Sequence, residues 1–165
     1  MREFDHNGLL LAEYQAKLFE KSYELPCSSA VFLRRFQHSN LLKRLDANNA
    51  ALLSPNVMDG IDDITEQFGP TEYGKVRFSK DALFWMGYMY RYIAYTRDNS
   101  TPFIMRLFPY KQLNELFYTY HTQDPEWCVR SLLELHGLTE DYFDCNYRLK
   151  QAMSKRGTGK LVCTS

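Results

Sequence analysis

The sequence predicts an all-α protein: a compact single-domain helical bundle of about six to seven helices around a central aromatic helix, with a flexible basic C-terminal tail. The domain spans residues 1–150 and the tail 151–165. Two observations carry this. The stretch Ser79–Asp98, SKDALFWMGYMYRYIAYTRD, is free of proline and helical in pattern. Helix start and stop residues also recur along the whole chain, whereas strand character is confined to Pro70–Phe78, PTEYGKVRF.

In the central run, Ser79 is a good N-cap and Asp81 places negative charge in the first turn, where it suits the helix dipole. At 100° per residue Ala82, Met86, Met89 and Ile93 stack on one line, which is the expected core face. Phe84, Tyr88, Arg91 and Tyr95 fall on nearly the opposite side. A helix that is apolar or aromatic almost all round is either buried on both sides or turns one face to a partner. Tyrosine and arginine are frequent interface anchors, so this second face is a candidate partner-binding surface.

Before it, Asn7–Leu25 reads as a helix with Ala12, Ala16, Phe19 and Tyr23 in one stripe, ended by Leu25-Pro26. Ser28 or Ser29 caps a helix carrying Phe32 and Phe36, and Ser39 or Asn40 caps LLKRLD. Asn48–Asn56 is a break, followed by the short acidic helix DGIDDITEQFG, which Gly69 ends. Pro70–Phe78 reads as an ordered loop with room for a short strand or hairpin.

After the central helix, Thr101–Phe108 forms a short helix with Pro102 in its first turn, and Pro109 breaks it. Tyr110–Tyr120 follows, with Leu113, Leu116, Phe117 and Tyr120 inward. Asp124-Pro125-Glu126 is a strong helix start, with cap, first-position proline and first-turn acid. That helix places Trp127, Cys128, Leu132 and Leu135 inward and stops at Gly137. Tyr142–Leu149 adds a last short helix, and KRGTGKLVCTS closes the chain.

Lys+Arg and Asp+Glu are both 20, so no net charge draws the chain to nucleic acid or to an anionic membrane. An aromatic content of 15% favours large, specific contact surfaces. Cys27, Cys128, Cys145 and Cys163 show no metal-ligand spacing, which predicts free thiols, no metal and no cofactor in a cytoplasmic protein. The leucine run at Leu9–Leu11 is too short and too soon followed by Glu13 for a leader or a membrane span. Gly157-Thr158-Gly159-Lys160 lacks the remainder of a phosphate-binding loop. His121, close to Asp124, has no serine, cysteine or second histidine placed to complete a catalytic set, so no catalytic residue is expected.

Three stretches, CSSAVFLRRFQHSNLLKRLD, FSKDALFWMGYMYRYIAYTRDNS and YTYHTQDPEWCVRSLLE, together resemble a family of small proteins of Firmicutes and their mobile elements that is grouped with antitoxins. The resemblance covers about Phe4–Leu138 and leaves the basic tail outside. Members are encoded beside small toxin-like genes, including ones similar to ADP-ribosyltransferases. The resemblance implies partner neutralisation with no catalytic residues, and points to Arg34-Arg35, to Trp85–Tyr95 and to Tyr120–Trp127.

The expected function is that of a non-enzymatic antitoxin or inhibitor that binds a cognate protein toxin or effector. Its expected partner-binding residues are Phe84, Tyr88, Arg91 and Tyr95 on the central helix and Asp59, Asp62, Asp63 and Glu66 on the acidic helix. The alternative is a nucleic-acid-binding regulator using Arg34, Arg35, Lys43 and Arg44 with Lys155, Arg156 and Lys160 of the tail. An enzyme built on His121 and Asp124 or on a lone cysteine is the third and thinnest reading.

Overall fold

The computed structural model describes residues 1–156. Its α-helices are α1 His6–Lys21, α2 Ser29–Gln37, α3 Asn40–Asp46, α4 Val57–Phe68, α5 Lys80–Thr96, α6 Thr101–Leu107, α7 Tyr110–Tyr120, α8 Pro125–Leu135 and α9 Asp141–Lys155. The described residues thus hold nine helices rather than six to seven, with short 3-10 turns at Ser22–Glu24 and Ala50–Leu52 and no strand. Each helix corresponds to a segment delimited in the sequence, and the total of six to seven undercounts them because the short helices stand as elements of their own. Ser39 restarts the chain as α3 by accepting a bond from the Leu42 N–H, and Pro109 divides α6 from α7.

The caps expected from the sequence lie at the helix starts. Ser28, Ser39 and Ser79 each accept a hydrogen bond from the backbone N–H three residues on. Asp124 accepts from the Glu126 N–H, and Asp5, ahead of α1, accepts from Gly8. Each such bond satisfies a donor that the first helical turn leaves open. Pro70–Phe78 is extended without forming a strand. It lies along the start of α2, where Ser28 and Ser29 donate their N–H groups to the Tyr73 and Val76 carbonyls.

The helix α5 is the axis of the bundle, and α1 packs along it in the most extensive helix pair of the fold. Thirteen of its residues are buried, among them Met86, Met89 and Ile93 on the expected core line. Its second face divides in two. Arg91 and Tyr95 are interior, contrary to their expected place at a partner surface, because α1, α3 and the N-terminal segment cover that half. Phe84 and Tyr88 remain partly open.

The phase of α8 also departs from expectation. Cys128, Val129, Leu132 and Leu133 face inward, whereas Trp127 and Leu135 are 37% and 58% exposed. Helix α9 continues through Lys155, so the first residues of the expected tail are helical. Residues 157–165 of that tail, with Lys160, lie outside the described residues. Among the described residues no helix is long and apolar enough to cross a membrane.

Candidate partner-binding groove

The first turns of α5, the end of α7 and the turn into α8 enclose an open groove of about 660 Å³. Each wall follows from local sequence. On α5, Ser79 fixes the helix start, which sets Asp81, Phe84, Trp85 and Tyr88 along one edge. On α7, Leu113, Phe117 and Tyr120 turn inward. Tyr118, out of phase with them, is 82% exposed and stands at the other edge. The Asp124-Pro125 start of α8 forces the chain to turn after Tyr120, which brings His121, Gln123 and Pro125 to the end of the groove.

The floor is rigid. Trp85 packs against Phe117 at 6.0 Å and edge-on to Tyr120 at 6.5 Å, and Tyr120 meets Trp127 at 5.1 Å. The imidazole of His121 stacks on Phe117 at 4.4 Å. Its Nδ1 lies 2.7 Å from the Phe117 carbonyl oxygen. A carbonyl only accepts, so Nδ1 carries the proton in that bond and the neutral ring offers Nε2 as an acceptor. Burial pushes the Tyr88 phenol above its ordinary range, and the nearby Glu13 carboxylate adds to the effect. Asp81 is the one carboxylate among the lining residues, and no lysine or arginine lines the groove.

Among the described residues His121 has no bond to Asp124, whose carboxylate instead caps α8. Burial holds the Cys128 thiol up at about 11, and its Sγ lies 3.3 Å from the Tyr120 carbonyl oxygen. A thiol with its pKa raised by burial is a poor nucleophile.

Of the residues expected to bind a partner, Phe84 and Tyr88 therefore line the groove, while Arg91 and Tyr95 belong to the interior. Asp59, Asp62 and Glu66 are exposed on α4, with Asp59 accepting from the Ser54 hydroxyl. Asp63 forms an ion pair with Arg44 of α3. The acidic helix and the basic cluster, separate in sequence, are thus neighbours that partly offset each other. Arg35 is likewise engaged, donating to the Gly69 carbonyl and lying 5.6 Å above the Phe68 ring. Arg34, Lys43, Lys155 and Arg156 are exposed.

Asp81 and Tyr118 were not expected at a binding surface, and Trp85, Gln123 and Pro125 were not named individually, although the stretches Trp85–Tyr95 and Tyr120–Trp127 that the resemblance points to contain them. Pairing of α5 with α7 across 30 residues creates the groove, and no local period encodes that pairing. One signal was available: Tyr118 is a large aromatic on the polar side of an amphipathic helix. The chain matches no family model, no curated protein and no solved structure.

Proposed function

We propose that the protein is a non-enzymatic binding protein, an antitoxin or inhibitor that neutralises a cognate protein toxin or effector by contact through the aromatic groove. One observation carries this reading. An open, apolar concavity with exposed or half-exposed aromatic edges and a rigidly packed floor has the composition of an interface centre, where aromatic anchors dominate binding. Two of the three stretches that resemble the antitoxin-grouped family, Phe78–Ser100 and Tyr118–Glu134, supply its walls. The exposed Asp59, Asp62 and Glu66 of α4 are a second, peripheral surface for a basic partner.

Co-expression with the product of the neighbouring gene tests the reading. The expected result is restored growth and co-purification of the two proteins, both lost in Phe84→Ala/Tyr118→Ala while the variant's circular dichroism is unchanged. Absence of rescue and of co-purification with the unaltered chain removes the proposal.

A nucleic-acid-binding role is a second reading, favoured by a different observation. Arg148, Lys150 and Lys155 are exposed on α9 and Arg156 directly after it, and no acid follows Asp144. It requires binding that weakens steeply with salt as counterions are released. An electrophoretic shift that is absent at low salt eliminates it.

A further inference from the structure

We infer that the groove is built to receive an arginine side chain of the partner, with the guanidinium plane laid against its aromatic edges. The inference rests on the binding-protein reading above and specifies what the partner presents. Three features point to this chemistry. Phe84, Tyr88 and Tyr118 line the groove, and a cation over the face of an aromatic ring is attracted by the ring quadrupole.

Asp81 supplies the charge that complements a cation. It sits in the first turn of α5, exposed, and among the described residues it makes no ion pair. Its field is reinforced near Tyr88 by Glu13, and no lining lysine or arginine opposes it.

The third feature is the set tautomer of His121. With Nδ1–H given to the Phe117 carbonyl, the tautomer of the uncharged form of the ring leaves Nε2 as an acceptor for an incoming N–H donor. A guanidinium is planar and carries several divergent donors, so it can stack on an aromatic ring and still reach a carboxylate and an imidazole nitrogen. An ammonium group is a compact point charge without a face to stack. A volume of about 660 Å³ exceeds one side chain, so the arginine enters with an apolar neighbour from the same segment.

Titration of the full chain, followed by amide and aromatic nuclear magnetic resonance, tests the inference with the capped dipeptide acetyl-leucyl-arginine amide. Its citrulline counterpart, equal in shape and uncharged, is the control. Saturable shifts centred on Tyr88, Tyr118 and His121 are expected for the arginine peptide and not for the citrulline one. Asp81→Asn, a change at an exposed position, is expected to weaken binding about fivefold or more while the rest of the spectrum is preserved. Equal binding of the two peptides, no saturable shift, or an unaltered affinity in Asp81→Asn overturns the inference. If growth rescue by the cognate gene pair survives while the titration fails, the arginine inference falls and the binding-protein reading stands.

Discussion

Arg91 carries a charge with no exposed surface, and four helices depend on how that charge is met. Its guanidinium donates to Gln15 Oε1 of α1 at 3.0 and 3.1 Å, and to the Leu45 carbonyl and Asp46 carboxylate of α3 at 3.2 and 2.9 Å. Asp46 in turn accepts from the N–H and hydroxyl of Thr101 at the start of α6. Burial lowers the Arg91 pKa, and Asp46 pulls it back up. Removing one partner of such a network leaves buried polar groups unpaired, so Arg91→Ala is expected to cost about 3–5 kcal/mol in urea unfolding. A loss below about 1 kcal/mol, the scale of an exposed pair, would show that the network is not what holds these helices. A second arginine, Arg97, joins α5 to Glu126 of α8 and to Glu140 ahead of α9. The Glu126 carboxylate is held below its ordinary range, first by the Arg97 hydrogen bond and then by that of the Tyr92 hydroxyl. Because its folded pKa lies below the unfolded one, the pair stabilises the fold above about pH 4.3, the value of a free glutamate. That stability is lost as pH falls through the folded value. Unfolding midpoints from pH 7 to pH 3 should therefore fall less steeply in Glu126→Gln than in the unaltered chain, and parallel curves would contradict the assignment.

At the scale of elements, α1 and α5, the most extensive helix pair, also approach backbone to backbone at Gly87. A Cβ added at Gly87 would lie 2.5 Å from the Gln15 carbonyl oxygen and 2.9 Å from the Ala16 Cα, both backbone atoms that cannot swing aside. Gln15 also donates its side-chain amide to the Gly87 carbonyl at 3.0 Å. Gly87→Ala forces the two helices apart and is expected to cost about 1–3 kcal/mol, as overpacking of a tight core does. Gly137→Ala is the contrast. That residue ends α8 at a φ of +64° with no atom near its missing side chain, so its cost comes from the left-handed backbone, about 1–2 kcal/mol. Thermal unfolding separates the two further, because an added Gly87→Leu deepens the first defect while Gly137→Asn relieves the second. If Gly87→Leu is tolerated, the crossing is looser than described. The helices themselves were legible in the sequence because their ends are written locally, in Ser28, Ser39, Ser79 and the Asp124-Pro125 pair. Their facing was less so. A wheel places Arg91 and Tyr95 opposite the Met86–Ile93 line but is silent on α1 and α3, which cover them. The inward face assigned to α8 held for Cys128 and Leu132 and failed for Trp127 and Leu135, for a related reason. Val129 and Leu133 compete with Trp127 and Leu135 for the same role, and Trp127 settles beside Tyr120 at the surface.

Across the whole molecule, stability is expected to be graded away from the α1–α5 axis, with α9 at its far end. Of the residues in α9 only Phe143 is buried. The first half of the helix is nonetheless tied down: Tyr142 stacks on Phe103 at 6.0 Å, and Asn146 donates to Asn99. Beyond Asn146 the ties thin to Lys150, which donates to Ser100 at 3.3 Å and lies 5.7 Å from the centre of the Phe103 ring, and Leu149 and Met153 stay exposed along the line that Tyr142 and Asn146 begin. A helix without tertiary packing is marginal in water at this length, so the outer half should open without the bundle opening. Native-state hydrogen exchange reads this directly. Amides of α1 and α5 are expected to exchange only through global unfolding, with a denaturant dependence that matches it. Amides near Phe143–Tyr147 should show intermediate protection, and those from Leu149 to Lys155 should exchange fastest, with little dependence on denaturant. Protection along the whole of α9 equal to that of α5 would mean that α9 belongs to the same cooperative unit. The opposite gradient would mean that Phe143 and the Arg97–Glu140 pair are not its anchor. The expected order also keeps the groove apart from the loosely held end. Trp85 of its floor sits on α5, which is expected to open last, and its packing on Phe117 and Tyr120 of α7 supplies the preorganisation a preformed binding surface requires.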